Sequence, residues 1–294
     1  MRYIGVISGL GQKSLSPLFQ QAALDHLRLE FVYQHWPTPP DGLEVRLKGM
    51  RAPVVAGANV TNPHKEAALP LMDEVDDLVR KVGALNTIVN RDGALLGYNT
   101  DVAGFLRALR EDGGFEPAGK RVVVAGAGGA ARAVVVALLR EGAASVTVIN
   151  RTAQRAQRLV DDLRPLAQEA VLDVLPDEEA AWQSAVAQVE LLVNCTSVGS
   201  AGTAEEKDSP VPAHVIHPQM LVYDLIYRPA ETPLMAAARA RGARVLGGLP
   251  MLVYQGAASF EMWTGRQAPV DIMLNAARQA SAEDAGLEPQ PPEN

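Results

Sequence analysis

The sequence is short of the features that would take a chain out of a reducing, aqueous setting. It has one cysteine, Cys195, so no disulfide can close within the chain, and a cytoplasmic location is expected. No apolar run is long enough to cross a bilayer. The start, MRYIGVISGLGQKS, breaks at glycines with no small-residue cleavage pattern after it, so no export signal is expected. Asn59-Val60-Thr61, Asn150-Arg151-Thr152 and Asn194-Cys195-Thr196 all fit the glycan acceptor pattern, but without export none is expected to be modified. A basic excess is also missing. The 27 Lys and Arg stand against 34 Asp and Glu, a net charge of −7, which disfavours a nucleic-acid or anionic-membrane partner. Any anionic ligand must then be met by local positive features. Clustered metal ligands are lacking as well: His214 and His217 lie between Pro212 and Pro218 with no carboxylate or cysteine cluster, so no metal is expected. Internal repeats and coiled-coil heptads are absent.

What is present is an alternation of strand-length apolar runs and longer helical patterns. The strands expected are Tyr3–Ile7, Phe31–His35, Val54–Val60, Ala84–Asn90, Arg121–Ala125, Ser145–Ile149, Glu190–Cys195, Leu221–Leu225 and Arg244–Leu246. Several are continuous Val/Ile/Leu runs, as strands covered on both faces should be. Helical patterns fall at Pro17–Leu29, Gly129–Glu141, Ala153–Leu166 and Pro233–Arg241, and from Pro250 to about Ala280. Such alternation predicts an α/β chain with parallel sheets. Its 294 residues suit about two domains. The division is expected near Asp101–Arg110: residues 1–101 with 250–280 form one domain, residues 102–249 the other, and 281–294 a polar tail. Phe260, Met262 and Trp263 are expected in a helix core, Cys195 as a small filler, and Asp73, Glu74, Asp76 and Asp77 as a solvated face.

The run RVVVAGAGGAARAVVVALL carries the most information. A buried strand enters Gly126-Ala127-Gly128-Gly129-Ala130-Ala131 and a helix leaves it. In this G-x-G-x-x-A pattern Gly126 makes the tight turn, Gly128 lets a pyrophosphate approach the backbone, and Ala131 packs helix on strand. Free N–H groups at the helix start are an anion site. The next strand ends in Asn150-Arg151-Thr152, with a cation where an NAD site would place an acid. A guanidinium and a hydroxyl there suit a 2′-phosphate, which favours NADP over NAD.

A second set of polar residues gathers where strands should stop: Ser14 and Ser16, Asn59, Thr61 and Lys65, Asn86 and Thr87, and Asn99, Thr100 and Asp101. Hydroxyls and amides at strand ends suit a polyhydroxylated ligand. Each also has a plainer reading, with Ser14 and Ser16 as an N-cap pair before Pro17 and Asp101 capping the helix after it.

These stretches together resemble the shikimate dehydrogenase family, from Ile4 to about Gly265. The matching motifs are S-x-S-P at Ser14–Pro17, NVTNPHK, GALNTI, NTD at Asn99–Asp101, AGAGGAARA, NRT, NCTS at Asn194–Ser197, YDLIYRPAETPL and GLPMLVYQGAASFEMWTG. The resemblance implies an N-terminal substrate domain with a mostly parallel mixed sheet, a Rossmann-like NADP-binding domain, and a cleft between them. It implies reversible NADPH-dependent reduction of 3-dehydroshikimate to shikimate, on the route to aromatic amino acids. Ser14 and Ser16 would bind the substrate carboxylate. Thr61, Asn86 and Asp101 would hold ring hydroxyls, with Lys65 and Asp101 as the reactive pair, and Tyr227 and Gln255 would complete the pocket. Gly126, Ala127, Gly128, Gly129 and Ala130 would cradle the pyrophosphate, with Asn150, Arg151 and Thr152 at the 2′-phosphate. Thr196 and Val198 would lie along the nicotinamide, and Gly248 is placed with the cofactor residues. The expected partner is the small substrate alone, with a homodimer admitted as the assembly.

The chemistry agrees. Hydride addition to a ketone carbon develops charge on the carbonyl oxygen, and a positioned ammonium can stabilise that charge and donate the proton. Departures from the family pattern are His64, where an aromatic is usual, Lys13, where histidine is common, and a long polar loop, VGSAGTAEEKDSP, read as a flap over the cofactor. His64 is expected to pack or hydrogen-bond like the aromatic it replaces. Alternatives are a quinate/shikimate enzyme of broader substrate use, a non-catalytic NADP-binding regulator, and a folate-linked dehydrogenase, which would not need the Ser14/Ser16 pair.

Overall fold

The structure, a computed structural model, describes residues 1–11 and 14–284. Lys13 and residues 285–294 of the expected tail lie outside the described residues. The chain forms two compact units: Met1–Gly104 with the chain from Leu252 on, and Phe105–Met251.

The first unit holds β1 (Arg2–Ser8), α1 (Ser16–His26), β2 (Phe31–Pro37), α2 (Leu43–Gly49), β3 (Val55–Val60), α3 (His64–Ala67), β4 (Glu74–Val75), α4 (Asp77–Val82), β5 (Thr87–Arg91) and β6 (Ala94–Tyr98). Its sheet has the order β2-β1-β3-β5-β6-β4. The β1–β2, β1–β3 and β4–β6 pairs are parallel, while β3–β5 and β5–β6 are antiparallel. This is the mostly parallel mixed sheet expected. Strands β4 and β6 are additions to the sequence reading. The hairpin β5–β6 turns on Asp92 (φ 52°) and Gly93 (φ 91°), an Asp-Gly pair that is itself a strong two-residue hairpin signal. Asn90 secures its base: its amide donates to the carbonyls of Met50, Ala52 and Val55, and its oxygen accepts from Gly93 N–H. The acidic run before it is not simply solvated. Asp76 caps α4 through Val79 N–H, and Asp73 accepts from Leu95 N–H and pairs with Arg51.

Helix α5 (Asp101–Glu111) leads along the chain into the second unit. There β7 (Arg121–Ala125), α6 (Gly129–Arg140), β8 (Ser145–Ile149), α7 (Ala153–Leu163), β9 (Val171–Leu175), α8 (Glu179–Val186), β10 (Leu191–Asn194), β11 (Leu221–Asp224), α9 (Pro233–Ala240) and β12 (Arg244–Leu246) follow. The sheet order is β12-β11-β10-β7-β8-β9 and every pair is parallel. The strand order reverses beside β7, which puts the crevice of a doubly wound sheet between the ends of β7 and β10. Strand β9 is not among the strands expected from the sequence, although its run VLDVL is apolar at four of five positions; it is an edge strand with Val171 and Asp173 exposed.

The helical pattern after Pro250 is two helices, α10 (Leu249–Thr264) and α11 (Val270–Asp284). They are separated by Gly265 at φ 65° and by Pro269, neither of which continues a helix. Helix α11 packs on α1. Phe260 and Trp263 are buried as expected, but Met262 is 43% exposed and is not core. The Trp263 indole donates to Ile88 O at 2.9 Å, over the bare backbone of Gly57. A Cβ at Gly57 would stand 2.1 Å from Ile88 O and 2.4 Å from Trp263 Nε1. Gly57→Ala is therefore expected to cost about 1–3 kcal/mol through overpacking, read as a lowered thermal midpoint; an unchanged midpoint would show that α10 shifts freely at this point.

Candidate active site and nucleotide site

In the first unit the polar residues at the strand ends do converge. Lys65, in α3 just beyond β3, places Nζ 2.6 Å from Asp101 Oδ2, with the two side chains 13% and 5% exposed. Asp101 opens α5, but it is not the cap. Asn99 Oδ1 accepts from Val102 N–H, which leaves the Asp101 carboxylate for Lys65 and Asn86. The N-cap expectation for Ser14 and Ser16 also fails. Helix α1 has no side-chain cap; Ser14 Oγ accepts from Ser16 N–H, and Ser16 is buried at the start of the helix.

Asn86 is the junction. Its amide nitrogen lies 2.8 Å from Thr100 Oγ1, 2.9 Å from Asp101 Oδ1 and 3.0 Å from Gln255 Oε1. Two amide protons face three acceptors, so this cluster has an acceptor to spare for a ligand hydroxyl. Asn86 Oδ1 accepts in turn from Thr100 N–H and from the Thr87 hydroxyl. Gln255 reaches this cluster because Gly104 lets α5 and α10 touch: a Cβ there would sit 2.7 Å from Gln255 N. Thr61 lies on the rim, half-buried, with its N–H on Ile7 O.

Sequence reasoning named Asn59, Thr87 and Thr100 but missed Ser259 and Tyr33, which join them. Ser259 Oγ, fully buried, bonds Thr87, Thr100 and the amide of Asn59. Asn59 accepts from the Tyr33 hydroxyl. A continuous polar chain thus runs Tyr33–Asn59–Ser259–Thr100–Asn86–Asp101–Lys65, buried up to Asp101. Burial pushes the Tyr33 phenol well above its ordinary 10.0, more than the Ser16 side chain lowers it. Within SFEMW nothing marks Ser259; only its i+4 spacing from Gln255 could have flagged it. His64 behaves as the packed alternative. It is 1% exposed, and Nε2 lies 2.8 Å from Thr38 O, so it ties α3 to the end of β2.

In the second unit Gly126 turns at φ 111°, and a Cβ there would press on Cys195 C at 3.1 Å. Gly128, the residue before α6, has no side-chain cap, and a Cβ on it would meet nothing within 4 Å. The helix start is thus open beside uncapped N–H groups, with Ala131 fully buried beneath it. These features fit a dinucleotide pyrophosphate. At the end of β8, Thr152 precedes α7 without capping it, and Asn150 Nδ2 donates to Thr152 O. Arg151 is exposed and pairs with Glu205. Gly248 has its N–H on Ile226 O and leaves 2.1 Å between a would-be Cβ and Leu225 O; it is where two backbones touch. Tyr227 is half-buried on the loop after β11, in the second unit, whereas Gln255 belongs to the first. Cys195 is half-buried just past β10 rather than a buried filler.

A buried carboxylate shapes this end of the sheet. Asp224, 0% exposed, accepts from Asn194 Nδ2 and Ile226 N–H on one oxygen and from Thr232 Oγ1 on the other. Asn194 Oδ1 accepts from the N–H and hydroxyl of Thr196, and Thr196 Oγ1 accepts from Val198 N–H. Asp224 so holds the Thr196–Val198 turn, the Tyr227 loop and the start of α9. Burial raises its pKa above the ordinary 3.8, more than its three donors lower it. An acid with a raised folded-state pKa contributes most to stability below 3.8, and that contribution declines as pH rises toward the folded value. The thermal midpoint of the unmodified protein, relative to Asp224→Asn, is therefore expected to fall as pH is raised from about 4; a flat or rising difference would contradict it.

The chain is similar to known proteins over nearly its full length. Residues 9–88 match the family model for the shikimate dehydrogenase substrate binding domain, residues 111–215 that for shikimate / quinate 5-dehydrogenase, and residues 248–278 that for the shikimate 5′-dehydrogenase C-terminal domain. The shikimate dehydrogenase (NADP(+)) of Moorella thermoacetica is 46% identical over 96% of this chain and 95% of its own. The crystal structure of shikimate 5-dehydrogenase from Thermus thermophilus, in complex with NADP(H) and shikimate, superposes with a TM-score of 0.84 at 39% identity, covering 95% of this chain and 100% of that one. Quinate dehydrogenase from Corynebacterium glutamicum, in complex with NAD, gives 0.83 at 28% identity over 94% and 98%. With matches over nearly its full length, the chain belongs to the shikimate dehydrogenase family.

Proposed function

We propose that the protein catalyses the reversible, NADPH-dependent reduction of 3-dehydroshikimate to shikimate. The observation that carries this is the Lys65 Nζ–Asp101 Oδ2 contact of 2.6 Å, with Asn86 on the other carboxylate oxygen. An ammonium held in that way is oriented by its partner and screened from water. In the reducing direction Lys65 stabilises the developing charge on the substrate carbonyl oxygen and donates the proton to it. In the oxidising direction it takes that proton back. Asp101 orients Lys65 and, with Thr61, Asn86 and Gln255, receives ring hydroxyls. Ser14 and Ser16 bind the carboxylate, and Tyr227 remains assigned to the substrate.

The cofactor supplies the hydride when bound. The open helix start at Gly126–Ala130 suits its pyrophosphate, Asn150, Arg151 and Thr152 its 2′-phosphate, and Thr196 and Val198 its nicotinamide. We assign the protein to a reducing cytoplasm; among the described residues no helix is long and apolar enough to cross a membrane.

A matrix of shikimate and quinate against NADP and NAD tests the reading. Fastest turnover is expected with shikimate and NADP, and none with shikimate and either cofactor would sink it. Comparable turnover on quinate would favour the broader enzyme, a reading with support in the likeness to the Corynebacterium protein. Lys65→Ala is expected to lower kcat by on the order of 10²-fold or more; retained turnover would remove the lysine from proton transfer.

A further inference from the structure

The guanidinium assigned to the 2′-phosphate already has an anion. Arg151 Nη1 lies 2.6 Å from Glu205 Oε1. Glu205 arrives from the long polar loop after β10, 54 residues further along the chain. That loop is folded back on itself. Gly199 N–H and Asp208 N–H both donate to Glu205 O, Gly202 N–H donates to Glu206 Oε2, and Ala201 N–H donates to Arg228 O. Gly199 and Gly202 take the left-handed conformations at φ 92° and 76° that the turns require. The backbone of residue 205 is therefore held in place, and its side chain points to the end of β8.

From this we propose that Glu205 tunes cofactor specificity: its carboxylate holds Arg151 Nη1 and competes with a 2′-phosphate for that guanidinium. The inference rests on the NADP reading of Arg151 given above. A carboxylate and a phosphate seek the same planar set of N–H donors, and two anions on one guanidinium repel each other. NADP binding thus weakens a contact that NAD binding leaves intact. Glu205 also restores an acid to the neighbourhood where an NAD site would have one, although β8 itself ends without it. The effect is a moderated preference for NADP. It is small because the pair is solvated, with side chains 78% and 36% exposed, and exposed ion pairs are weak.

Calorimetric titration of NADP+ and NAD+ into the unmodified protein, Glu205→Gln, Arg151→Ala and Asp208→Asn tests this. Glu205→Gln is expected to bind NADP+ roughly threefold more tightly, to leave NAD+ binding unchanged, and to lose most of the difference at about 0.5 M salt. Asp208→Asn removes the same charge without touching Arg151, and should not reproduce the effect. Unchanged or weaker NADP+ binding in Glu205→Gln, equal gains for both cofactors, or an equal gain in Asp208→Asn would each overturn the proposal. If Arg151→Ala weakens NADP+ and Glu205→Gln does nothing, only the role of Glu205 fails. If Arg151→Ala leaves NADP+ binding intact, the assignment of the 2′-phosphate to Arg151 fails with it.

Discussion

The arrangement of the first unit depends on one buried amide. Asn86, 2% exposed, must satisfy its nitrogen and its oxygen inside the protein, because a buried polar group without partners costs about 1–3 kcal/mol. Its partners lie on α5, at the end of β6 and on α10, so those elements can only pack where the amide reaches all of them. Lys65 and Asp101 inherit their geometry from that requirement. Ser259, Asn59 and Tyr33 extend it to β2.

The second unit solves a similar problem with a charge. Asp224 lies at the end of β11 and collects donors from β10, from the loop after it, and from the cap of α9. Removing a carboxylate from water is costly unless such donors surround it. The consequence is a rigid support under the turn that carries Thr196 and Val198. The glycines at β7 act differently, through absence: Gly126 clears the path of Cys195, and Gly128 leaves the helix start open.

Much of this was legible in the residues. Continuous Val/Ile/Leu runs marked the buried strands β7, β8, β10 and β11, and the G-x-G-x-x-A turn marked the start of α6. Of the strands not expected, β4 has only two residues, whereas β9 carries the apolar run VLDVL at the edge of its sheet. The β5–β6 hairpin is a different case, since Asp92-Gly93 announces it and only the weight given to the longer apolar runs hides it. Ser14, Ser16 and Asp101 look like caps and are not. Several small polar residues near a helix start can each cap it by local rules, and packing alone selects between them.

By itself the sequence determined the α/β alternation, the nucleotide turn, the cation in place of an acid after β8, and the residues that could meet a polyhydroxylated ligand. These are local patterns, read from period, spacing and side-chain chemistry. Only the tertiary structure decided that Lys65 and Asp101 face each other across 36 residues, that Ser259 joins Asn59 to Thr100, and that Glu205 lies on Arg151. Such contacts follow from which strand ends the sheet order brings together and from which buried groups must find partners there, and no local pattern records either.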